Sequence, residues 1–510
     1  MATKENLNFD SVPLNKDAIN EAQPPNDKIE PFNWAVFLAC VSVSTTNLHT
    51  GFALGYSAIV SEQLERSHEM GILEKSTLSL ITSSVSIAAP LGCLFIAYSL
   101  DKFGRIGTFK MSLWPCFLGW LSIGIAQNTS MIILGRLLTG FAMSVGTNSA
   151  NVYMAEISTP KLRGSMMSIG SVMLSFGILL MYTAGMFFHW RVVAWIAFVG
   201  AVMPVFMTAF WTPESPLWLI FNEKESKAMR SLQYFTSKSN SECVGNAKLE
   251  DIKKLKEKKV FLLSQQVNGN WFKRAIWHLS KPTGYKPVIL MTIFFLLQQF
   301  TGIYTLQFYA VNMLSNIAKE IDIKLATIIF GTVRLILSFM ATGVLHKYGR
   351  RPLCMNSAIV MGLSLFVSGL CLYLRKSGVE NVVIVWLPFI CMLLYISAGS
   401  MGLMLIPWMM PSEMFPTEVK GLFIGPIMGW CNAVMFAAVY SYKYLLDALG
   451  MSNVLWLYSS VSLLTAVFVW VFVPETHGKK LCEIEEYFKD NTIYLLKNKK
   501  TIIVSKSPAV

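Results

Sequence analysis

What this sequence has least of is charge. Only 14% of its 510 residues are Asp, Glu, Lys or Arg, while 54% are hydrophobic and the mean hydropathy is +0.49. A soluble globular protein averages about 25% charged residues, so this chain cannot cover a water-facing surface. The alternative solvent is lipid. Other absences narrow the chemistry. There is no GxxxxGK[ST] phosphate loop, which leaves an ATP-driven pump without an engine. The nine cysteines form no CxxC pair and no zinc-ligand spacing. Cys40, Cys93, Cys116, Cys371, Cys391 and Cys431 lie inside apolar runs, Cys354 opens one, and Cys243 and Cys482 lie in polar stretches. They read as small buried apolar residues. No nucleophile constellation is present either, so the expectation is a non-enzyme with no cofactor and no metal. Residues 1–31 are polar, carry Pro24-Pro25 and contain no apolar stretch, which is read as excluding a cleavable signal peptide.

What is present is a series of apolar runs, at 34–59, 77–100, 107–126, 131–153, 165–187, 192–211, 286–313, 323–345, 353–374, 383–410, 421–446 and 453–473. A spanning helix needs about 20 mostly apolar residues, and lipid offers no partner to an unpaired backbone group, so such spans are helical. The expected fold is an all-α polytopic membrane protein with twelve transmembrane helices, six on each side of a polar insert. That divides the chain into a tail (1–31), a first six-helix bundle (32–211), a linker with short helices (212–283), a second bundle (284–473) and a C-terminal tail (474–510).

The net charge of +13 raises nucleic acid as a partner, but its distribution argues otherwise. The terminal segments and the loops at 101–110, 154–164, 212–286, 346–352 and 417–420 collect roughly 33 Lys and Arg, against about 8 in the opposite loops. Positive-inside bias places this basic face, with both termini, in the cytosol. The expected setting is the plasma membrane. The run "KLEDIKKLKEKK" (248–259) reads as a solvated segment, with recognition of lipid or a partner as the other reading. Asn128-Thr-Ser is the only glycosylation sequon, in a very short loop.

The chain repeats itself. "LDKFGR" (100–105) is echoed by "LHKYGR" (345–350), "AEISTPKLRG" (155–164) by "SEMFPTEVKG" (412–421), and "PESP" (213–216) by "PETH" (474–477). The pairs keep their order at separations of roughly 245, 257 and 261 residues. Three matches in register mark an internal duplication with a period of six spans. Parallel repeats of this kind are a transporter architecture, with the substrate site between the halves near the midplane.

With "GRLLTG" (135–140), "QQFTGIYTLQFYA" (298–310), "IPW" (406–408) and "PETHGKKLCEI" (474–484), residues 32–488 resemble the major facilitator superfamily and, within it, the sugar porters. The "QQFTGIY" stretch also resembles insect facilitated trehalose transporters. The resemblance implies alternating access to a sugar. Its ligand set would be a small-molecule sugar, with the lipid bilayer as surroundings and no nucleic acid.

Gly104 and Gly349 sit where the chain reverses in few residues, a place for positive φ. Asp101, Arg105, Arg350 and Arg351 surround them, and Glu156 with Arg163, and Glu413 with Lys420, end neighbouring helices at similar depth. By resemblance these charges clamp the cytosolic side closed; topology anchoring is the simpler reading. His346 stands where the family has Asp, so Glu413 is expected to carry the anionic role of the second half alone.

A sugar site needs amides and hydroxyls that donate and accept, and aromatic planes for stacking. Gln298 and Gln299 are adjacent amides inside an apolar run and must face a cavity or another helix. By resemblance they bind sugar, with Trp408, Trp430, Thr147 and Asn148 in the cavity. The chain departs from the family at Tyr304 (family Asn), Ser171 (Gln), Gly429 (Asn) and Gln307 (aromatic). Arg334 lies near the centre of the eighth span, where a charge is expensive and faces the bundle interior. It reads as lining the substrate path or as a structural charge.

Proton-coupled sugar porters carry Asp in a Gly-Tyr-Asp sequence of the first span; here "LGYSAIV" (54–60) puts Ser57 there. The resemblance then implies uniport, with a proton-coupled symporter (His49 the first candidate) and a non-transporting sugar sensor as rivals.

Overall fold

The computed structural model describes residues 33–158, 163–235, 250, 277, 279–317, 322–379, 381–415, 420–477, 479 and 481–494. Among these, every regular element is a helix. The first six spans are α1 (Trp34–Ser67), α2 (Lys75–Phe103), α3 (Arg105–Gly124), α4 (Thr129–Ile157), α5 (Arg163–Phe187) and α6 (Trp190–Trp211). Short helices α7 (Pro216–Phe221) and α8 (Glu225–Phe235) follow. The second half holds α9 (Pro282–Phe300), α10 (Ile303–Phe308), α11 (Ala310–Ile317), α12 (Ile323–Lys347), α13 (Arg350–Lys376), α14 (Val382–Met401), α15 (Ile406–Met414), α16 (Lys420–Leu449) and α17 (Met451–Phe472), and α18 (Leu481–Asp490) closes the series.

Among the described residues, eight stretches are long and apolar enough to cross a membrane on length and composition alone. The first span is not among them, because it carries Ser42, Ser44, Thr45, Thr46, Asn47, His49 and Thr50. All seven are buried, and Thr45 and Thr46 turn their hydroxyls back onto the carbonyls of Ser42 and Val43, each at 2.5 Å. A polar run is tolerated in a span when neighbouring helices cover it. The same helix runs past the expected end at 59 to Ser67, where Glu62 and Arg66 pair at 2.6 Å one turn apart.

Ten expected spans are single helices; the seventh and tenth are broken. The seventh breaks at Gly302, whose φ of +85° and close approach to the Tyr458 ring (2.4 Å from a Cβ placed there) leave room only for glycine. The tenth opens over Gly402–Leu405, just before Pro407. Each break is served by the other span. Gln298 donates to the Leu403 carbonyl at 2.5 Å, and Tyr395 donates to the Thr301 carbonyl at 2.9 Å. Backbone groups freed in a membrane interior need such partners.

In the first half α1 packs on α5, and α4 on α2 and α3; in the second, α13 packs on α14 and α17. The halves meet along α2–α16 and α5–α12. Polar contacts across this seam include Lys75–Asp447 (2.5 Å), Lys443–Glu65 (2.9 Å) and Asn312–Glu65 (3.1 Å) at the lightly charged face. Tyr182 reaches the Gln307 carbonyl at 2.9 Å, and Ser175 meets Ser338 at 2.7 Å.

Candidate functional site: a midplane cavity and two basic turns

Between α5 and α12 lies a cavity of about 60 Å³. Ser171, Ser175, Tyr304, Arg334, Ser338 and Ser400 supply its polar lining, and Leu54, Leu174, Met404 and Leu405 its apolar walls. The volume holds a few waters and falls well short of the roughly 300 Å³ at which small-molecule sites begin. A molecule the size of a monosaccharide fits only if the cavity widens.

Three expected site residues, Ser171, Tyr304 and Arg334, therefore share one cavity. Trp408 adjoins it: its indole N–H donates to the Tyr304 hydroxyl at 2.7 Å, and its ring meets Phe295 edge-on at 5.8 Å. Gln298, Gln299 and Gln307 are fully buried next to these groups but do not line the cavity. Their amide N–H groups go to the Leu403 carbonyl, to Cys431 Sγ (3.1 Å) and to the Ile303 carbonyl (3.3 Å), while all three Oε1 atoms lack a partner among the described residues. Thr147 bonds Thr50 at 2.8 Å and Asn148 bonds the Ser144 carbonyl at 2.8 Å, both in the first half. Trp430 lies elsewhere, 43% exposed, with its N–H on the Thr292 carbonyl at 3.2 Å.

The cavity also shows what the sequence reading passed over. Ser175 and Ser338 stand one helical turn from Ser171 and Arg334, so the i, i+4 spacing was the available signal. Arg136, noted only as part of "GRLLTG", is fully buried. It donates to the Ala53 carbonyl at 2.9 Å and to the Ser57 hydroxyl, with its guanidinium 5.6 Å from the Tyr56 ring centre. His49 is sealed beside Trp120, whose N–H meets its Nδ1 at 3.1 Å, and Cys116 at 3.4 Å.

At the basic face the duplicated phrases build the same object twice. Glu214 accepts from the backbone N–H groups of Arg105 (2.9 Å), Ile106 (3.1 Å) and Gly107 (3.3 Å). Glu475 accepts from Arg350 (2.9 Å) and Arg351 (3.2 Å). A carboxylate on a helix N-terminus satisfies orphan donors and the helix dipole together. Arg105 pairs with Glu156 at 2.6 Å and Arg350 with Glu413 at 3.3 Å. Each arginine also reaches the carbonyl five residues back, Leu100 at 3.2 Å or Leu345 at 3.0 Å. Ser215 caps Glu156 from "PESP" and Thr476 caps Glu413 from "PETH".

Two expectations change. Gly104 does adopt positive φ (+84°), but Gly349 has φ −64°; it is glycine because a Cβ there would meet Glu475 Oε2 at 2.3 Å. Glu413 does not carry the negative charge of the second half alone, since Glu475 brings another carboxylate to the same turn, and His477 Nδ1 lies 2.5 Å from Arg350. Neither pair crosses between the halves: Arg105–Glu156 belongs to the first and Arg350–Glu413 to the second. Asp101 is exposed, and its carbonyl accepts the Trp218 N–H at 3.0 Å. Arg351 stacks on Tyr494 at 4.4 Å. The side chains of Arg163, Lys420 and His346, and residues 251–259 of the basic run, lie outside the described residues.

A family model described as "Sugar (and other) transporter" matches residues 34–488. The chain belongs to that family. This sugar-transporter family member is 29% identical over 94% of its length to the facilitated trehalose transporter Tret1 of Bombyx mori, covering 92% of that relative. It is 28% identical over 95% of its length to Tret1 of Aedes aegypti, of which it spans 59%. Its structure is similar to the major facilitator superfamily proton:xylose symporter XylE bound to 6-bromo-6-deoxy-D-glucose, with TM-score 0.68, 21% identity and coverage of 89% of this chain and 99% of that one. A partially occluded inward-open form of XylE from E. coli gives TM-score 0.70 at 20% identity, over 88% and 99% of the two chains. These likenesses show the fold: twelve spans in two six-helix halves.

Proposed function

We propose that this family member carries a saccharide across the membrane by alternating access, as a facilitative uniporter with no cofactor and no covalent chemistry. The observation that carries the uniport reading is the environment of Arg136. A proton-coupled cycle needs a buried group whose protonation changes with substrate binding. Among the described residues, Arg136 meets a serine hydroxyl, a carbonyl and an aromatic face instead of a carboxylate.

The saccharide reading draws on the three buried glutamine oxygens without partners and on the hydroxyl-rich cavity beside them. Hydroxyl groups of a sugar are donors that match such acceptors. The names of the insect relatives put trehalose ahead of a hexose. Positive-inside bias supports a cytosolic basic face with both termini there, in the plasma membrane. The twin turns at that face each tie helices within one half, which supports two bundles, 32–211 and 284–473, that move as units around the linker.

Purified protein in liposomes tests the reading. Counterflow of trehalose or glucose is expected, saturable and insensitive to a protonophore. With equal sugar on both sides, an inward proton gradient should drive no net accumulation; uphill uptake would overturn uniport and make His49 the first residue to mutate.

A further inference from the structure

We propose that the midplane cavity prefers a saccharide bearing a carboxylate, a sugar acid, with Arg334 as its counter-ion. The proposal rests on the saccharide-transport reading and narrows its substrate class. Arg334 is 3% exposed and lines the cavity. Its Nε donates to Ser175 at 3.3 Å, and its Nη1 is buried without a partner among the described residues. None of the described residues lining the cavity is Asp or Glu.

A buried guanidinium with an unused donor is an expensive arrangement in a membrane interior. A planar carboxylate repays it best, because the guanidinium fork can bind two oxygens side by side. A neutral hydroxyl can accept one such bond but brings no charge. A phosphate ester would bring close to two charges against one. The remaining lining suits the rest of a sugar. Ser171, Ser175, Ser338 and Ser400 offer hydroxyls that donate and accept. Tyr304 accepts the Trp408 N–H and keeps its own O–H to donate. Arg334 and Ser175 belong to opposite halves, so a carboxylate taking over the guanidinium also loosens one link of the α5–α12 seam. Binding and movement of the halves are thereby coupled.

The test uses the full chain in liposomes with glucuronate and glucose, which share a ring, and trehalose as a second neutral sugar. The KM for glucuronate should lie at least tenfold below that for glucose, and Arg334→Gln should bring the ratio close to one. Because the acid moves one charge per cycle, an inside-positive potential should raise its steady accumulation about tenfold per 59 mV, with no effect on glucose. A glucuronate KM equal to or above that of glucose overturns the proposal, as does a ratio that survives Arg334→Gln. If the variant does not fold, the wild-type ratio and potential dependence decide. Flux of neutral sugars without glucuronate sinks the proposal and leaves saccharide transport standing; flux of none of the three sinks both.

Discussion

Glu214 and Glu475 stand 261 residues apart and perform the same task. Each folds back from a Pro-Glu turn to accept the first backbone N–H groups of a spanning helix, α3 or α13, and each does so over a glycine. A Cβ at Gly104 would lie 2.5 Å from Glu214 Oε2, and one at Gly349 2.3 Å from Glu475 Oε2. The duplication has preserved a three-dimensional contact as well as a sequence.

This pairing predicts a specific coupling. Gly349→Ala should lower the melting temperature of the purified protein, because the methyl group displaces the capping carboxylate, whose charged hydrogen bonds are worth about 1.5–3 kcal/mol. In a Glu475→Ala background the same substitution should cost little, since φ at Gly349 is ordinary. A double-mutant cycle with no interaction energy would show that the contact is incidental.

The lightly charged face carries a latch between the halves. Lys443 is nearly buried against Glu65, so Lys443→Ala should loosen that end. Ser61, fully buried one turn from Glu65, reports it: a Ser61→Cys variant should label faster with an impermeant maleimide once Lys443 is removed. Unchanged labelling would reduce the pair to a surface contact worth under about 1 kcal/mol.

Gln298→Ala is expected to raise KM at least fivefold and to lower the melting temperature as well. It removes a buried donor from the Leu403 carbonyl at the tenth-span break, and an orphaned buried acceptor costs about 1–3 kcal/mol. Normal transport together with normal melting would remove Gln298 from the site.

The two tryptophans should separate. Trp408→Phe deletes the donor to Tyr304 beside the cavity and should raise KM severalfold. Trp430→Phe should leave KM within twofold, because that ring is half-exposed and its N–H goes to the Thr292 carbonyl, away from the cavity. Equal effects on uptake would falsify the placement of the site.

On the basic face, Arg105→Ala should open the turn between α2 and α3 and raise the accessibility of a cysteine introduced there, because among the described residues Glu156 then keeps only the Ser215 hydroxyl. The pair lies within one half, so the effect is expected to be weaker than loss of a contact that spans both. Accessibility that stays at the wild-type level would leave topology anchoring as its role.

The sequence by itself determined the solvent, the number of spans and the duplication. Hydropathy is a local property of about twenty consecutive residues, and a repeat is visible in one dimension, so both survive without coordinates. It also flagged Arg334 and the glutamine pair, since charge and amide are conspicuous in an apolar run. It could not say which flagged groups meet. Ser171 and Arg334 share a cavity across 163 positions of chain, while Gln298, six residues from Tyr304, turns instead to the broken tenth span. Nor could it see that Gly349 serves Glu475 rather than a positive φ, or that Arg136 rests on Ser57. Those outcomes depend on which helix face meets which neighbour and on where a freed carbonyl needs a donor. Only the packing of both halves supplies that geometry.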